Sequence, residues 1–409
     1  MRVIYSLVTG LYYLTIRFAA AWNPKASKWV AGRKGWRERM SDSFSGNENV
    51  IWVHCASLGE FEQGRPVIDW IKQNHPDEKL LLTFFSPSGY EKRKGYPAAD
   101  VVMYLPPDSP KNAGDMLDLV PVSMALFIKY EFWYFHLDEL RKREIPTFLI
   151  SGYFRSTQLF FKWYGGWYRK MLGFYTQIFV QDQSSRDLLD SIGINGAMVA
   201  GDTRFDRVMQ IAENKQQVPL LEKFGAAGDI VVGGSAWEDD EQVLREVYIM
   251  SDSSLRLIIA PHEPTRKTID RLREMFPDHL LFSQIDQDTV RDVRVIIVDT
   301  IGHLSSLYHY GTVAVIGGGF GKGIHNVLEA TAAGLPVFFG PNYKGFHEAR
   351  ELVHLGCAVP VTDPRGAGER IMELLADRSE LERRSAQASR YTAQKTGATD
   401  RIVNEIFHS

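Results

Sequence analysis

The stretch VIWVHCASLGEFEQGRPVIDWIKQ (residues 50–73) has the pattern of a buried strand, a short turn and a helix. Residues 50–57 are mostly apolar and rich in β-branched side chains, and the apolar residues after them are spaced as on one face of a helix. The same alternation of strand and helix patterns recurs as far as TQIFVQDQSSRDLLDSIG (176–193). A second series begins at DIVVGGSAWEDDEQVLREVY (229–248). Repeated strand–helix units predict parallel sheets with helices on both faces.

The length of the chain predicts two domains, because 409 residues exceed one ordinary hydrophobic core. We expect an α/β fold in which two doubly wound, Rossmann-like parallel-sheet domains face a cleft, preceded by an N-terminal hydrophobic helix. In such sheets, ligands bind at the carboxyl ends of the strands. The predicted segments are an N-terminal helix with a basic flank (1–40), a first domain (41–207), a linker (208–228), a second domain (229–376) and a C-terminal helical segment that could pack back on the first domain (377–409).

Composition excludes several classes of protein. A net charge of −3 and a pI near 6.4 provide no general field for a nucleic-acid backbone, so we expect no nucleic-acid partner. Cys55 and Cys357 are the only cysteines, and their separation gives neither a disulfide framework nor the spacing of metal ligands. We therefore expect a reducing compartment.

The N-terminal run from residue 3 to residue 22 is about as long as a bilayer core is thick, and Arg17 is its only charge. Lysines and arginines interleaved with Trp29 and Trp36 follow it, which is typical of a segment lying against anionic lipid on the cytoplasmic side. We expect this helix to hold the protein at the membrane, either spanning the bilayer or lying in it. The alternative is an amphipathic helix that packs on its own domain and has no membrane role.

Two motifs of the first domain place acidic residues after strands. In HCASLGE (54–60), Ser57 and Gly59 leave room for a ligand, and Glu60 is either a helix-start acid or a general base for an acceptor hydroxyl. In KYEFWY (129–134), Lys129 and Glu131 form either a second part of this site or an ordinary solvated helix start.

Two further motifs of the first domain carry cations. The stretch SGYFRSTQLFFKWYGGWYRK (151–170) interleaves Arg155 and Lys162 with aromatic side chains, a composition suited to an anionic amphiphile. In GDTRFD (201–206), Arg204 either binds the carboxylate of a sugar or pairs with a neighbouring aspartate.

The second domain opens with VVGGSAWEDDEQVL, in which Gly234 and Ser235 precede a predicted helix. Backbone N–H groups at a helix start favour a phosphate, and the acidic residues that follow favour a monophosphate over a triphosphate. APHEPTR (260–266) ends the next strand and offers His262 and Arg266 for base or phosphate contacts, although both could be ordinary loop surface.

The stretch VIGGGFGKGIHNVLEATAAGLPVFFGP (315–341) is the strongest local signal for a nucleotide sugar. A glycine-rich loop containing Gly318 and Gly319 leads into a helix predicted to begin near His325 and Asn326, and Glu329 follows on the same face. We expect Glu329 to accept both ribose hydroxyls while the helix start meets the phosphate. The glycines match neither the dinucleotide fingerprint nor the P-loop.

Taken in order, these motifs resemble the transferases of 3-deoxy-D-manno-octulosonic acid (Kdo) in lipopolysaccharide assembly. The resemblance runs over nearly the whole chain and is carried by HCASLGE, KYEFWY, SGYFRS, VQDQSS, GDTRFD, GGSAWEDDE, APHEPTR, DTIGHLSSLY and HNVLEATAAGLPVFFGP. It implies a GT-B fold, inversion at the anomeric carbon, CMP-Kdo as donor, a lipid A precursor (lipid IVA) as acceptor, a place at the inner membrane with its lipids as partners, and neither metal nor other cofactor.

The resemblance also implies roles for individual residues. The residue matching Glu60 is the catalytic base, Lys129 and Glu131 match a second active-site segment, and Asn326 and Glu329 match the ribose site. This chain departs from the family at Arg204, where lysine is common, and at His262-Glu263, where Arg-His is usual. The alternatives are a GT-B transferase with a UDP-sugar donor and another lipid-linked acceptor, and a non-catalytic lipid- or nucleotide-binding protein.

Overall fold

A computed structural model describes residues 1–213, 219–225, 228–285 and 293–408. The chain divides into two compact units, of which unit 1 contains Met1–Arg207 with Thr396–Ser409 and unit 2 contains Val208–Lys395. Each unit is built on one seven-stranded parallel sheet, which confirms the predicted α/β class.

The sheet of unit 1 has the strand order β3-β2-β1-β4-β5-β6-β7. Its strands are β1 Val50–Cys55, β2 Lys79–Phe84, β3 Val101–Tyr104, β4 Val122–Ile128, β5 Thr147–Gly152, β6 Gln177–Val180 and β7 Met198–Val199. The helices are α1 Arg2–Ala19, α2 Pro24–Ala31, α3 Trp36–Ser43, α4 Leu58–Asn74, α5 Pro87–Arg93, α6 Pro110–Leu119, α7 Tyr134–Lys142, α8 Gly166–Leu172, α9 Gln183–Asp190 and α10 Thr203–Glu213, which continues into unit 2.

The sheet of unit 2 has the order β10-β11-β9-β8-β12-β13-β14. Its strands are β8 Ile230–Ala236, β9 Arg256–Pro261, β10 His279–Leu281, β11 Val295–Ile297, β12 Val313–Ile316, β13 Val337–Phe339 and β14 Ala358–Pro360. Its helices are α11 Pro219–Gly225, α12 Glu238–Met250, α13 Arg266–Met275, α14 Leu304–Leu307, α15 Leu328–Ala332, α16 His347–His354, α17 Pro364–Ala376 and α18 Arg378–Gln394.

Both sheets reverse their strand order at one place. In unit 1 the chain proceeds outward from β1 to β3 on one side and from β4 to β7 on the other, so the switch point lies between β1 and β4. In unit 2 the corresponding place lies between β8 and β12. Ligands of open parallel sheets bind outside the carboxyl ends of the strands at such points.

The two segments outside the predicted domains contain helices. The segment predicted as a linker (208–228) contains the end of α10 and all of α11, while residues 214–218 and 226–227 lie outside the described residues. In the C-terminal segment, α18 belongs to unit 2, whereas the last helix, α19 Ala398–Phe407, belongs to unit 1 and buries Ile402 and Val403 in its core.

Helix α1 is attached to unit 1 through two tyrosines and one buried aspartate. The Tyr5 hydroxyl donates to Asp108 Oδ2 at 2.6 Å, and the Asp108 backbone N–H donates to the Tyr13 hydroxyl at 2.8 Å. The same carboxylate accepts the backbone N–H groups of Phe135 and His136 at the start of α7. Burial, followed by the charge of Asp108, raises the pKa of Tyr5.

The opposite face of α1 is apolar and exposed, with Leu7 68% and Phe18 73% accessible. In the described part of the chain, no single helix is long and apolar enough to cross a bilayer; α1 and α2 pass such a test only as a pair bent by 117°. The helix ends at Ala19, short of the predicted residue 22.

Tyr5→Phe should loosen α1 because the variant lacks the hydroxyl that binds buried Asp108. A hydrogen bond to a charged partner contributes about 1.5 kcal/mol, so we expect trypsin to cleave after Arg17 roughly tenfold faster. Tyr12→Phe is the matched control, since no hydroxyl partner of Tyr12 is found among the described residues. Equal cleavage of the two variants would contradict the role of Asp108.

Candidate active site

At the switch point of unit 1, β1 is followed by a helix start that holds an acidic residue. Ser57 is the N-cap of α4 and accepts the Gly59 backbone N–H at 3.2 Å, and its hydroxyl donates to the Glu60 carboxylate. Both side chains are half-buried. The positive end of α4 favours the negative charge of Glu60, whose second oxygen stays available for an acceptor hydroxyl.

Glu131 is buried beside this site, after β4. A carboxylate only accepts hydrogen bonds, so Glu131 Oε2 receives the N–H groups of His54 Nε2 at 3.0 Å and Trp133 Nε1 at 2.6 Å. His54 Nδ1 then accepts from the Thr83 hydroxyl at 2.9 Å. The Glu131 side chain is therefore buried and held in position beside the site. The sequence had left open the alternative that it is part of a solvated helix start.

Glu60 and Glu131 both act on one buried thiol. Burial raises the pKa of the Cys55 thiol, and the charges of Glu60, Glu131 and Glu62 raise it further. Cys55 is completely buried at the end of β1, in the switch region.

The ends of β4 and β5 carry left-handed backbone at residues other than glycine. Lys129 has φ +71° and Ser151 has φ +55°, a conformation that costs energy for side chains with a Cβ and often occurs at functional sites. The Lys129 Nζ lies 5.2 Å from the centre of the Tyr130 ring.

Two arginines and one glutamate act on the Tyr130 hydroxyl at this edge of the sheet. Burial raises the pKa of Tyr130; the positive charges of Arg155 and Arg204 oppose this shift, and the negative charge of Glu60 adds to it. These three side chains therefore act on one hydroxyl. Arg155 is exposed and lies over the Tyr153 ring, while Lys162 is half-buried in the loop that precedes α8.

Arg204 lies in unit 1, and its guanidinium is held by Asp202. Its Nη2 and Nε donate to Asp202 Oδ2 at 2.7 and 2.9 Å. Although burial raises the pKa of Asp202, the charge and hydrogen bonds of Arg204 bring it below its ordinary value. Local pairing, one of the two roles predicted for Arg204, is thus present.

In unit 2, the switch point brings together the loops after β8 and β12. Ser235 has left-handed backbone with φ +53°, and Gly318 has φ +90°. Asp240 Oδ2 accepts the backbone N–H groups of Trp237 and Gly318, both at 2.9 Å. One carboxylate thus fixes both loops, a connection that the sequence did not reveal.

The glycines at this site are required by close packing of the chain itself. A Cβ at Gly234 would lie 1.8 Å from the Tyr308 hydroxyl oxygen, and one at Gly319 would lie 2.5 Å from the Gly340 nitrogen. The loop therefore packs tightly against the chain. At its end, His325 is half-buried and Asn326 is exposed.

Three rings stack beside the glycine loop. The His262 ring lies 4.5 Å from Trp237 and 4.4 Å from His325, centre to centre. Trp237 Nε1 donates to His325 Nε2 at 2.9 Å, which places the His325 proton on Nδ1 in the neutral ring. Burial and the charge of His262 lower the pKa of His325, in agreement with a neutral imidazole.

Asn326 and Glu329 lie one turn apart. The Asn326 amide donates to Glu329 Oε1 at 3.0 Å, and its oxygen accepts the Leu328 backbone N–H at 3.1 Å. Because the Asn326 side chain caps the turn, α15 begins at Leu328, two residues later than the sequence suggests. The charge of Glu329 reaches the buried Tyr308 hydroxyl, whose pKa is raised first by burial.

Arg266 is placed differently from the other predicted donor-binding residues. It begins α13, its side chain is 95% exposed, and it pairs with Asp270 one turn along the same helix at 3.8 Å. In the described ranges, no group of His, Cys, Asp and Glu side chains has the arrangement of a metal site.

Asp240 should make unit 2 less stable as the pH rises. Burial raises the pKa of Asp240 from 3.8 to about 6, although its two backbone donors oppose the shift. The folded state therefore keeps this proton to higher pH than the unfolded chain, and stability is lost between about pH 4 and pH 6. From pH 4 to pH 7 we expect roughly 2 kcal/mol of loss relative to Asp240→Asn.

Thermal unfolding of wild type and Asp240→Asn across this pH range measures the effect as a change in their Tm difference. The substitution removes the titrating group, so the other carboxylates cancel in the comparison. A Tm difference independent of pH would contradict the assignment.

Comparison with known proteins shows what this chain is similar to. Residues 34–207 match the family model of 3-deoxy-D-manno-octulosonic-acid transferase (kdotransferase). A 3-deoxy-D-manno-octulosonic acid transferase of Aquifex aeolicus is 25% identical over 349 residues, covering 83% of this chain and 90% of the relative. One from Bordetella pertussis is 25% identical over 377 residues, covering 87% and 86%. The chain is thus similar to Kdo transferases over most of its length.

The fold of this chain is shared with other enzymes. A UDP-GlcNAc 2-epimerase from Neisseria meningitidis superposes with a TM-score of 0.61, at 15% identity, over 88% of this chain and 100% of that chain. At this identity the likeness shows the GT-B type fold alone, and the ligand of the epimerase says nothing about the donor used here.

Proposed function

We propose that this protein is an inverting glycosyltransferase that moves Kdo from CMP-Kdo to a glucosamine hydroxyl of a lipid A precursor in lipopolysaccharide biosynthesis. The observation that carries the proposal is Glu60, a half-buried carboxylate at the switch point of unit 1 that is held by Ser57 and that acts, like Arg155 and Arg204, on the Tyr130 hydroxyl. The similarity to Kdo transferases supports the choice of sugar and donor.

Glu60 acts as the general base. It takes the proton of the acceptor hydroxyl as that oxygen attacks C2 of Kdo, and the bond from C2 to the phosphate oxygen breaks, so that CMP leaves from the opposite face. Ser57 holds one oxygen of Glu60 and directs the other toward the acceptor. Glu131, fixed by His54 and Trp133, keeps the wall of the site in place.

Unit 2 binds the donor. Glu329, oriented by Asn326, accepts the two ribose hydroxyls, and Ser235 with the loop around Gly318 and Gly319 receives the phosphate. His325 and His262 lie at the rim of the same loops. Departure of CMP adds one negative charge to a single phosphate, which helix-start N–H groups can stabilise, so we expect transfer to proceed in EDTA without a metal ion.

The acceptor binds to unit 1 from the membrane. Arg155 and Lys162 provide cations for its phosphates, and the chain directly after Lys162 exposes apolar surface, with Trp163 91% accessible. Exposed aromatic side chains next to cations suit a lipid with an anionic head. The exposed apolar face of α1 supports attachment to the cytoplasmic face of the inner membrane.

Calorimetric titration with CMP and with UDP tests the donor assignment. We expect CMP to bind with an affinity at least about tenfold higher than that of UDP. A site built for one phosphate has no partner for a second, and the negative charges of Glu238 and Asp239 would repel it. Tighter binding of UDP would favour the alternative of a UDP-sugar transferase. Asp252→Ala changes an exposed loop of unit 2 and serves as the control protein, which should show the same difference between CMP and UDP as the wild type.

A further inference from the structure

A cavity of about 800 Å³ lies on unit 1 between α1, α2–α3 and the residues that precede α6. Its wall is basic and aromatic: Arg17 and Tyr13 come from α1, Trp29 from α2, and Arg33 and Lys34 from the turn after it. None of the residues assigned above to donor, acceptor or base lines this cavity. The cavity therefore needs its own explanation.

Arg33 is the most unusual residue of the wall because it is 6% exposed and has no carboxylate partner among the described residues. Its guanidinium donates to the backbone oxygens of Leu105 at 2.8 Å and Phe85 at 2.9 Å and lies 3.8 Å from the Trp29 ring. Burial lowers the pKa of Arg33 to about 9, so it stays charged at neutral pH. A buried cation without a counter-ion favours an anion nearby.

The other charged residues around the cavity also leave an excess of positive charge. Arg17 and Lys34 are exposed, and the described residues provide neither with an acidic partner. Arg37 is neutralised by Asp115 at 2.5 Å, and among the described residues Glu38 is the one acidic side chain that lines this cavity. In addition, the Trp29 indole N–H is buried without a hydrogen-bond partner in the described part of the chain.

An apolar stripe leads away from the cavity. Leu14 lines the cavity and is exposed, and Leu7, Leu11 and Phe18 follow the same face of α1 at helical spacing. A ligand that fits both features has an anionic head and apolar chains.

We propose that this cavity binds the headgroup of one anionic glycerophospholipid of the bilayer, with its acyl chains along the exposed stripe of α1. Neighbouring parallel strands are about 4.8 Å apart, so β3, whose end adjoins the cavity, lies about 10 Å from β1 and about 14 Å from β4. The headgroup site is thus separate from the place of the acceptor at the switch point. It orients α1 on the membrane independently of catalysis.

Native mass spectrometry of the full chain released from detergent micelles tests this site with phosphatidylglycerol and phosphatidylcholine of equal chain length. We expect one retained phosphatidylglycerol, preferred at least about tenfold over phosphatidylcholine, and Arg17→Glu with Lys34→Glu to remove that preference. Lys25→Glu with Lys28→Glu is the matched control, because both lysines are exposed on α2, outside the cavity, and the change in charge is the same.

A second variant blocks the cavity without changing charge. Gly10 lines it and has open space where a side chain would start, so Gly10→Phe should fold and also lower retention of the lipid. Equal losses in the two double variants, or a preference for phosphatidylcholine, would overturn the proposal. Displacement of the lipid by an equal concentration of glycerol 1-phosphate would instead assign the cavity to a soluble phosphate and overturn it as well.

Discussion

Replacing Glu60 by glutamine should lower the rate of Kdo transfer about a hundredfold or more, because the amide cannot take the proton of the acceptor hydroxyl. The amide keeps the size of the side chain and can still accept the hydrogen bond from Ser57, so α4 should begin at the same residue. Single-turnover rates with CMP-Kdo and a lipid A precursor measure the loss, and calorimetry should show unchanged CMP affinity.

Glu62→Gln is the control for this experiment. Glu62 lies two residues along the same helix, but its carboxylate pairs with Arg93 at 2.6 Å. We expect its transfer rate to remain close to that of the wild type. Wild-type turnover in Glu60→Gln, or an equal loss in both variants, would remove Glu60 as the base.

Replacing Glu329 by alanine should weaken CMP binding about a hundredfold, since two charge-assisted hydrogen bonds to the ribose are lost at about 1.5 kcal/mol each. The loss should be smaller for 2′-deoxy-CMP, which offers a single ribose hydroxyl at this position. Calorimetric titration of both nucleotides with wild type and variant gives the coupling between Glu329 and the ribose 2′-hydroxyl directly.

Glu369→Ala serves as the control in unit 2, because Glu369 is exposed on α17 and pairs with Arg365. If Glu329→Ala bound CMP as tightly as the wild type, Glu329 would serve only to hold Asn326 at 3.0 Å, and the ribose site would have to lie elsewhere.

The sequence predicts the parallel strands and the helix starts because these depend on neighbouring residues. Residues 50–73 gave β1 and α4, and Ser57 with Glu60 lie within one helical turn. Periodicity does not give strand order, so the switch points between β1 and β4 and between β8 and β12 become visible only in the structure.

Contacts between distant residues were beyond sequence reasoning. His54 meets Glu131 across 77 residues, and Asp240 meets Gly318 across 78. No local sequence pattern indicates either pair, since a histidine in a strand and an aspartate at a helix start are both common without such a partner. The stack of Trp237 on His262 likewise depends on β8 and β9 being neighbours.

The N-terminal helix illustrates the same limit. Hydropathy alone makes residues 3–22 one continuous apolar run, but Tyr5 and Tyr13 bind Asp108, about a hundred residues away, and the chain bends after Ala19. The aromatic hydroxyls on one face of α1 were the available signal, because buried tyrosines need a polar partner.

Incubation of the purified full chain with CMP-Kdo and a tetraacylated lipid A precursor in the presence of EDTA tests the central claim most directly, with the product read by mass spectrometry. We predict a product heavier by one or more Kdo residues and an equal number of CMP molecules released. An unchanged acceptor mass with CMP-Kdo, together with transfer from a UDP-sugar, would contradict the account.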